Sequence, residues 1–152
     1  MALKNCCAFT GHRKIEDLPD YALLRDTLEN LIENGVDTFY CGMARGFDMI
    51  AAEEVLKLKE IHPQIKLVAC VSCPEQDKYF SAEEKRRYIE IIDSSDDLKV
   101  VSWRYFKGAM LKRNDYMVDK CGYLIAYMRR ESGGTAYTVR YARKKKRKIF
   151  IV

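Results

Sequence analysis

Short apolar, β-rich runs alternate with longer stretches of helical periodicity along the whole of this 152-residue chain. The runs fall at residues 5–9, 36–40, 65–71, 98–102, 123–127 and 149–152. Between them apolar residues recur at spacings of three and four, as in Leu24, Leu28, Leu31 and Ile32, or Phe47, Ile50, Ala51, Val55 and Leu58. Strands separated by helices pair in parallel, and a parallel sheet needs helices over both faces. The alternation therefore predicts an α/β fold with a doubly wound, mainly parallel sheet, built as one domain over residues 1–152. Local signals set the boundaries. The first helix is expected to start around Pro19–Asp20 and to end at Asn34–Gly35, with Gly35 as its left-handed cap. The second runs from Phe47 to near His62. Ser81-x-x-Glu84 reads as a capping box opening a helix that runs to about Ile92. Further helices are expected at 109–120 and 136–145.

The formal net charge is +5, and it is local. Arg143-Lys144-Lys145-Lys146-Arg147-Lys148 holds six basic residues in a row; without them 21 Lys and Arg face 22 Asp and Glu. The run reads first as a solvated helix end, where cations suit the dipole, and second as a contact for nucleic acid. No apolar stretch reaches the roughly 20 residues that span a bilayer, so no membrane insertion is expected. The N-terminus carries no signal-peptide pattern, which makes a cytoplasmic location the expectation. Cys6, Cys7, Cys41 and Cys70 lie in apolar runs, as small core residues do. Cys70-Val-Ser-Cys73 has C-x-x-C spacing, yet no second pair and no paired histidine completes a zinc site, so no metal is expected.

In such sheets ligands bind beyond the carboxyl ends of the strands, where strand order reverses. Three loops there have suitable chemistry. Thr10-Gly11-His12-Arg13 supplies a hydroxyl, a bare backbone and a cation. Gly42-Met-Ala-Arg45-Gly46 supplies two glycines and a guanidinium before a helix. Gly133-Gly134-Thr135 supplies adjacent backbone N–H groups and a hydroxyl at another helix start. Together they resemble cradles for the phosphates of a nucleotide-like ligand. Asp48, in a first helical turn, is placed to meet ribose or to serve as a helix-start acid. Asn114 shares a helical face with Met110 and Met117 and is expected to point into protein, bonded to a neighbouring loop or to ligand; Arg113 and Asp115 are expected to face solvent. His12 is read as shaping its loop. Trp103, Tyr105 and Phe106, and Tyr79 with Phe80, either wall a base or pack over helices.

No G-x-G-x-x-G, no P-loop and no G-x-S-x-G elbow occurs, which argues against a standard NAD dehydrogenase or an ATPase. The runs Thr10 to Arg13, Cys41 to Asp48, Arg113-Asn114 and Ser132 to Thr135 with Tyr141-Ala142 resemble, in order and over nearly the whole chain, the SLOG superfamily and within it the YpsA-like group. The resemblance implies a Rossmann-like fold and a pocket for a nucleotide-derived ligand, in a group linked to bacterial cell division and stress physiology. Gly42 to Asp48 is also similar to the signature of the DprA proteins, which bind single-stranded DNA in natural transformation. The LOG phosphoribohydrolases have P-G-G-x-G-T followed by a glutamate. Here Ser132-Gly-Gly-Thr135 lacks the second glycine element, and no carboxylate follows it closely. Asp48 and Glu53 are the remaining candidates for hydrolytic chemistry.

The sequence thus reads as a binder of a nucleotide, NAD or ADP-ribose type ligand in a regulatory or sensor role, read ahead of catalysis. Thr10, Gly11, Arg13, Gly42, Arg45, Gly46, Asp48, Asn114, Gly133, Gly134 and Thr135 form the expected site. N-glycosidic hydrolysis of a nucleotide is the alternative. A DNA or partner contact through Arg143 to Lys148 is the third reading. A homodimer is an expectation from relatives alone.

Overall fold

A computed structural model describes residues 2–15, 17 and 21–152. The elements alternate as β1 (Leu3–Gly11), α1 (Tyr21–Glu33), β2 (Thr38–Cys41), α2 (Phe47–Ile61), β3 (Lys66–Val71), α3 (Ala82–Ser94), β4 (Asp97–Val100), α4 (Ala109–Lys120), β5 (Cys121–Tyr127), α5 (Gly134–Lys144) and β6 (Lys148–Ile151). The expected helix start at Pro19–Asp20 lies outside the described residues. Gly35 has the expected left-handed conformation, with φ +98°. The Ser81–Glu84 capping box is present, each side chain bonded to the other's backbone N–H. At the last helix the expectation falls two residues late, because Gly134 and Thr135 already belong to its first turn.

The six strands form one sheet in the order β4-β3-β2-β1-β5-β6, and every neighbouring pair is parallel. The fold is Rossmann-like α/β. One core lies between the sheet and α1, α2 and α3, built around Phe9, Phe39, Phe47, Leu67 and Ile125. The other lies under α4 and α5, around Ala8, Cys70, Met117, Leu124 and Val139. β3 alternates between them, with Leu67, Ala69 and Val71 on the first face and Val68 and Cys70 on the second, so the strand is apolar throughout. All six cysteines are buried free thiols. Among the described residues no helix is long and apolar enough to cross a membrane.

Strand order reverses between β1 and β5. Each parallel strand sends its following loop to the same edge of the sheet, so the loops after β1, β2, β3, β4 and β5 converge there. Gly46 holds two of them together. It adopts φ +83°, and a Cβ at this position would overlap the carbonyl oxygens of His12 and Arg13. The next amide, Phe47 N–H, donates to His12 O at 3.2 Å. Aromatic rings carry the contact inward, with Phe47 stacked on Tyr127 at 5.7 Å and edge-on to Phe9 at 6.4 Å.

Gly46→Ala must meet both the backbone torsion and the overlap, and is expected to cost on the order of 3 kcal/mol in urea unfolding. Gly35→Ala, at a similar φ with open space around it, is expected to cost about 1 kcal/mol. Equal losses would show that torsion alone, and not the interlock with the first loop, fixes Gly46.

Candidate functional site

A cleft of about 270 Å³ opens where the strand order reverses. Its lining comes from the end of β1 (Thr10, Gly11) and the following His12 and Arg13, from Ala44 and Asp48, from Met110, Arg113 and Asn114 on α4, from Arg130, and from Gly134 and Thr135 on α5. The fold therefore brings together Thr10, Gly11, Arg13, Asp48, Asn114, Gly134 and Thr135 of the expected site. Arg45 lines the adjoining cavity, its guanidinium 5.4 Å from the Phe80 ring. Gly133 is the residue before α5, with φ +91° and no side chain capping the helix. The first intrahelical bond there is Tyr137 N–H to Gly133 O, so the amides of residues 134–136 come before the helical ladder starts.

The largest departure from the sequence reading is Arg113. It is 2% exposed, not solvent-facing. Residues 109, 113 and 117 form the buried stripe of α4, whereas Met110, expected inside, is exposed. The Arg113 guanidinium spans three elements. Nη1 donates to Gly42 O and, at 3.0 Å, to Gln76 Oε1; Nε donates to Asn114 Oδ1 at 2.8 Å. Gln76 Nε2 in turn donates to Gly42 O and Met43 O at 3.0 and 2.9 Å. Asp115 is only partly exposed and its Oδ2 accepts from Tyr137. Asn114 is bonded at both ends of its amide: Nδ2 donates to Thr138 Oγ1 at 3.0 Å, and Thr138 donates to Gly134 O at 2.9 Å. One hydrogen-bonded chain thus runs from the β2–α2 loop to the first turn of α5.

Gly42 is glycine because of what crowds it. A Cβ there would sit 2.8 Å from the Arg113 guanidinium carbon and 3.0 Å from Asp48 Oδ2. Much of the loop's backbone is engaged inside the protein, including Ala44 N–H, which donates to Asp48 Oδ2 at 3.2 Å. Met43 takes a left-handed conformation, φ 61°, with its side chain fully buried. The result is that Asp48, 4% exposed, stands beside Arg113 with its Oδ1 lacking any hydrogen-bond partner among the described residues. Burial pushes the Asp48 carboxyl up to about 6, against the opposing pull of Arg113 and the Ala44 amide. Burial likewise lowers Arg113, against the attraction of Asp48. For both partners desolvation outweighs mutual attraction.

The other candidates lie elsewhere. Glu53 pairs with Arg87 of α3, Oε2 to Nε at 3.1 Å. His12 is buried; its Nε2 accepts from Arg129 N–H at 2.8 Å and its ring lies edge-on to Tyr127, which joins the loops after β1 and β5. Trp103, Tyr105 and Tyr79 are exposed, and Phe80 is buried against Tyr88. The basic run sits at the opposite edge of the sheet, where α5 turns into β6. Arg143 to Lys146 are exposed there, while Arg147 folds back to Val118 O at 2.9 Å. No group of three His, Cys, Asp or Glu that could hold a metal occurs among the described residues.

A model of the YspA SLOG family (YpsA) matches residues 8–150. The chain belongs to the YpsA SLOG family. Among curated relatives, a UPF0398 protein of Halalkalibacterium halodurans is 32% identical over 118 residues, covering 76% of this chain and 62% of that protein. The chain therefore spans less than two thirds of that relative's length. The SPbeta prophage-derived protein YoqJ of Bacillus subtilis is 29% identical over 143 residues, covering 83% of this chain and 84% of YoqJ. Among solved structures, DNA processing protein A (DprA) from Streptococcus pneumoniae superposes over 97% of this chain and 50% of its own, with a TM-score of 0.71 at 18% identity. DprA from Helicobacter pylori, described with its single-stranded DNA binding mode, superposes over 96% of this chain and 64% of its own, with a TM-score of 0.66 at 20% identity. At these identities the likeness is one of fold. In this YpsA-family chain, Arg113 and Gln76 are the site-forming residues that sequence reasoning missed; the available signal was the i, i+4 spacing of Ala109, Arg113 and Met117.

Asp48 yields a test of sign. Its folded-state pKa of about 6 lies above the ordinary 3.8, so the folded chain holds that proton more tightly than the unfolded one. Stability from this group is full below the ordinary value and is lost as pH rises through 6, on the order of 3 kcal/mol by pH 8. Asp48→Asn is expected to unfold at higher urea than wild type at pH 8, with the gap closing by pH 4. A variant less stable than wild type at pH 8 would mean that Arg113 holds the charge more strongly than burial opposes it.

Proposed function

We propose that this protein binds a nucleotide-derived small molecule in the cleft between the ends of β1 and β5. The observation that carries the reading is Asp48: a buried carboxylate in a concave site, with one oxygen unpartnered among the described residues and a cost of burial that no core requires. A sugar hydroxyl is the neutral donor that such an oxygen takes. The anionic part of the ligand belongs at the start of α5, where Gly134 and Thr135, with its hydroxyl, and Arg13 line the cleft. Gly42, Gly46 and Gly11 contribute by packing: Gly11 lies against Phe47, Gly46 against the first loop and Gly42 against Arg113. Arg113 ties α4 to Gly42 and Gln76, Asn114 ties α4 to α5 through Thr138, and neither needs to touch the ligand. This reading fits a sensor or regulatory role inside a bacterial cell, since binding would tie together loops from three parts of the sheet.

Hydrolysis of the ligand's N-glycosidic bond is a second reading, favoured by one observation. An acid near pH 6 in a cleft is poised to steady a sugar cation or activate water. Asp48 is the one carboxylate among the described lining residues, which supports binding first.

The test is a thermal-shift and calorimetric screen of AMP, ADP-ribose and NAD, followed by chromatography of the incubated mixtures. A ligand at 100 times its Kd should stabilise the fold by about 2.7 kcal/mol. Asp48→Asn is expected to weaken that ligand by about 10- to 100-fold, the loss of a hydrogen bond to a charged group. Release of free base would establish the hydrolase reading. Ligand binding at full strength in Asp48→Asn would remove Asp48 from the site.

A further inference from the structure

The cleft is one half of a larger concavity. A second cavity, of about 500 Å³, adjoins it and shares Arg13, Ala44 and Met110 as the dividing wall. Its character is different. The cleft is lined by hydroxyls, glycines and charge. The second cavity is walled by the rings of Tyr79, Phe80 and Tyr105, from the loops after β3 and β4. Arg45 is stacked 5.4 Å over Phe80, and its Nε is a buried donor with no partner among the described residues. Ser72 and Glu75 add a hydroxyl and a carboxylate at the same lining. Flat aromatic faces, a planar cation and a few hydrogen-bonding groups are what a heterocyclic base stacks on and is oriented by.

We propose that this second cavity is the base subsite: a nucleotide lies with its phosphate at α5, its sugar at Asp48, and its base across Arg13 and Met110 between Tyr105 and the Tyr79–Phe80 corner. The proposal rests on the nucleotide reading of the cleft and adds the direction in which the ligand lies. The phosphate end and the base end then fall on opposite sides of the Arg13–Ala44–Met110 wall. The loops after β3 and β4, which contribute no residue to the phosphate end, become the part of the protein that distinguishes one nucleotide from another.

The test separates the two ends. Ribose 5-phosphate and AMP are titrated by calorimetry into wild type and into Tyr79→Ala/Tyr105→Ala. Both tyrosines are largely exposed, so the fold is not expected to depend on them. AMP should bind wild type more tightly than ribose 5-phosphate does. The double variant should weaken AMP by about tenfold or more and leave ribose 5-phosphate unchanged. Trp103, the one tryptophan of the chain, sits two residues from Tyr105 and gives a second readout. Its emission should change with AMP and not with ribose 5-phosphate. If wild type binds both probes equally, or the double variant weakens neither or both alike, the base subsite is overturned while the phosphate–sugar cleft stands. If wild type binds none of ribose 5-phosphate, AMP, ADP-ribose and NAD, both readings fall together.

Discussion

At the carboxyl edge of the sheet, the loops after β2 and β3 are joined to α4 through one buried guanidinium. Arg113 has a fixed fork of donors, which reaches three parts of the chain: Nη1 serves both the turn after β2 and the loop after β3, and Nε its own neighbour on α4. A lysine could not do this, since a point charge on a flexible stem does not hold three loops at set angles. Taking that charge out of water is expensive, and the lowered pKa of Arg113 records the expense. The neighbouring Asp48 offsets part of it and is itself penalised. Two costly groups side by side stabilise the chain less than apolar residues of the same volume would. They make sense as a device for holding a polar atom at a chosen place in a dry site.

Topology explains why that place is a cleft. With β1 central, the crossovers through α1, α2 and α3 step to one side, and the chain then returns past β1 to place β5 and β6 on the other. The loops after β1 and β5 therefore leave the sheet toward opposite faces and part. His12 and Tyr127 bridge them at the level of the strand ends, through the Arg129 amide and the edge-on ring contact. Beyond that bridge the gap is free for the chemistry of Thr10, Asp48 and Thr135. The six-residue basic run joins α5 to β6 and so lies at the opposite edge of the sheet, next to the C-terminal end of α5 and remote from the cleft.

The fold was legible because its signal is periodic and redundant: six apolar runs and five helical patterns each repeat one message, and an error of two residues in any of them changes nothing. The site was legible only in outline. Glycines at 42 and 46 mark close approach, but a sequence does not say what approaches, and here it is Arg113 with Asp48 in one case and the backbone of His12 and Arg13 in the other. On α4 the phase was misread because the face was chosen by methionines. Met110 and Met117 suggested one stripe, while Ala109, Arg113 and Met117 form the true one. A charged residue at the centre of a buried stripe breaks the amphipathic rule, so a reading that trusts the rule turns that residue outward. Gln76 carried no signal at all, since a loop glutamine bonding two backbone carbonyls across the site has no local pattern.

Rules of local consistency fail where a protein spends stability on something other than itself. Among the described residues, three buried side-chain polar atoms lack hydrogen-bond partners: Arg45 Nε, Asp48 Oδ1 and Asp115 Oδ1. Asp115 lies on the side of α4 that faces the β4 edge, in a separate groove. The other two stand on either side of the Arg13–Ala44–Met110 wall, one in each half of the joined concavity. They are opposite in kind, a donor under aromatic rings and an acceptor beside hydroxyls. Packing errors would be scattered and would not sort by chemistry. A donor and an acceptor left unsatisfied in the two halves of one concavity are the groups that the base and the sugar of the proposed ligand would meet.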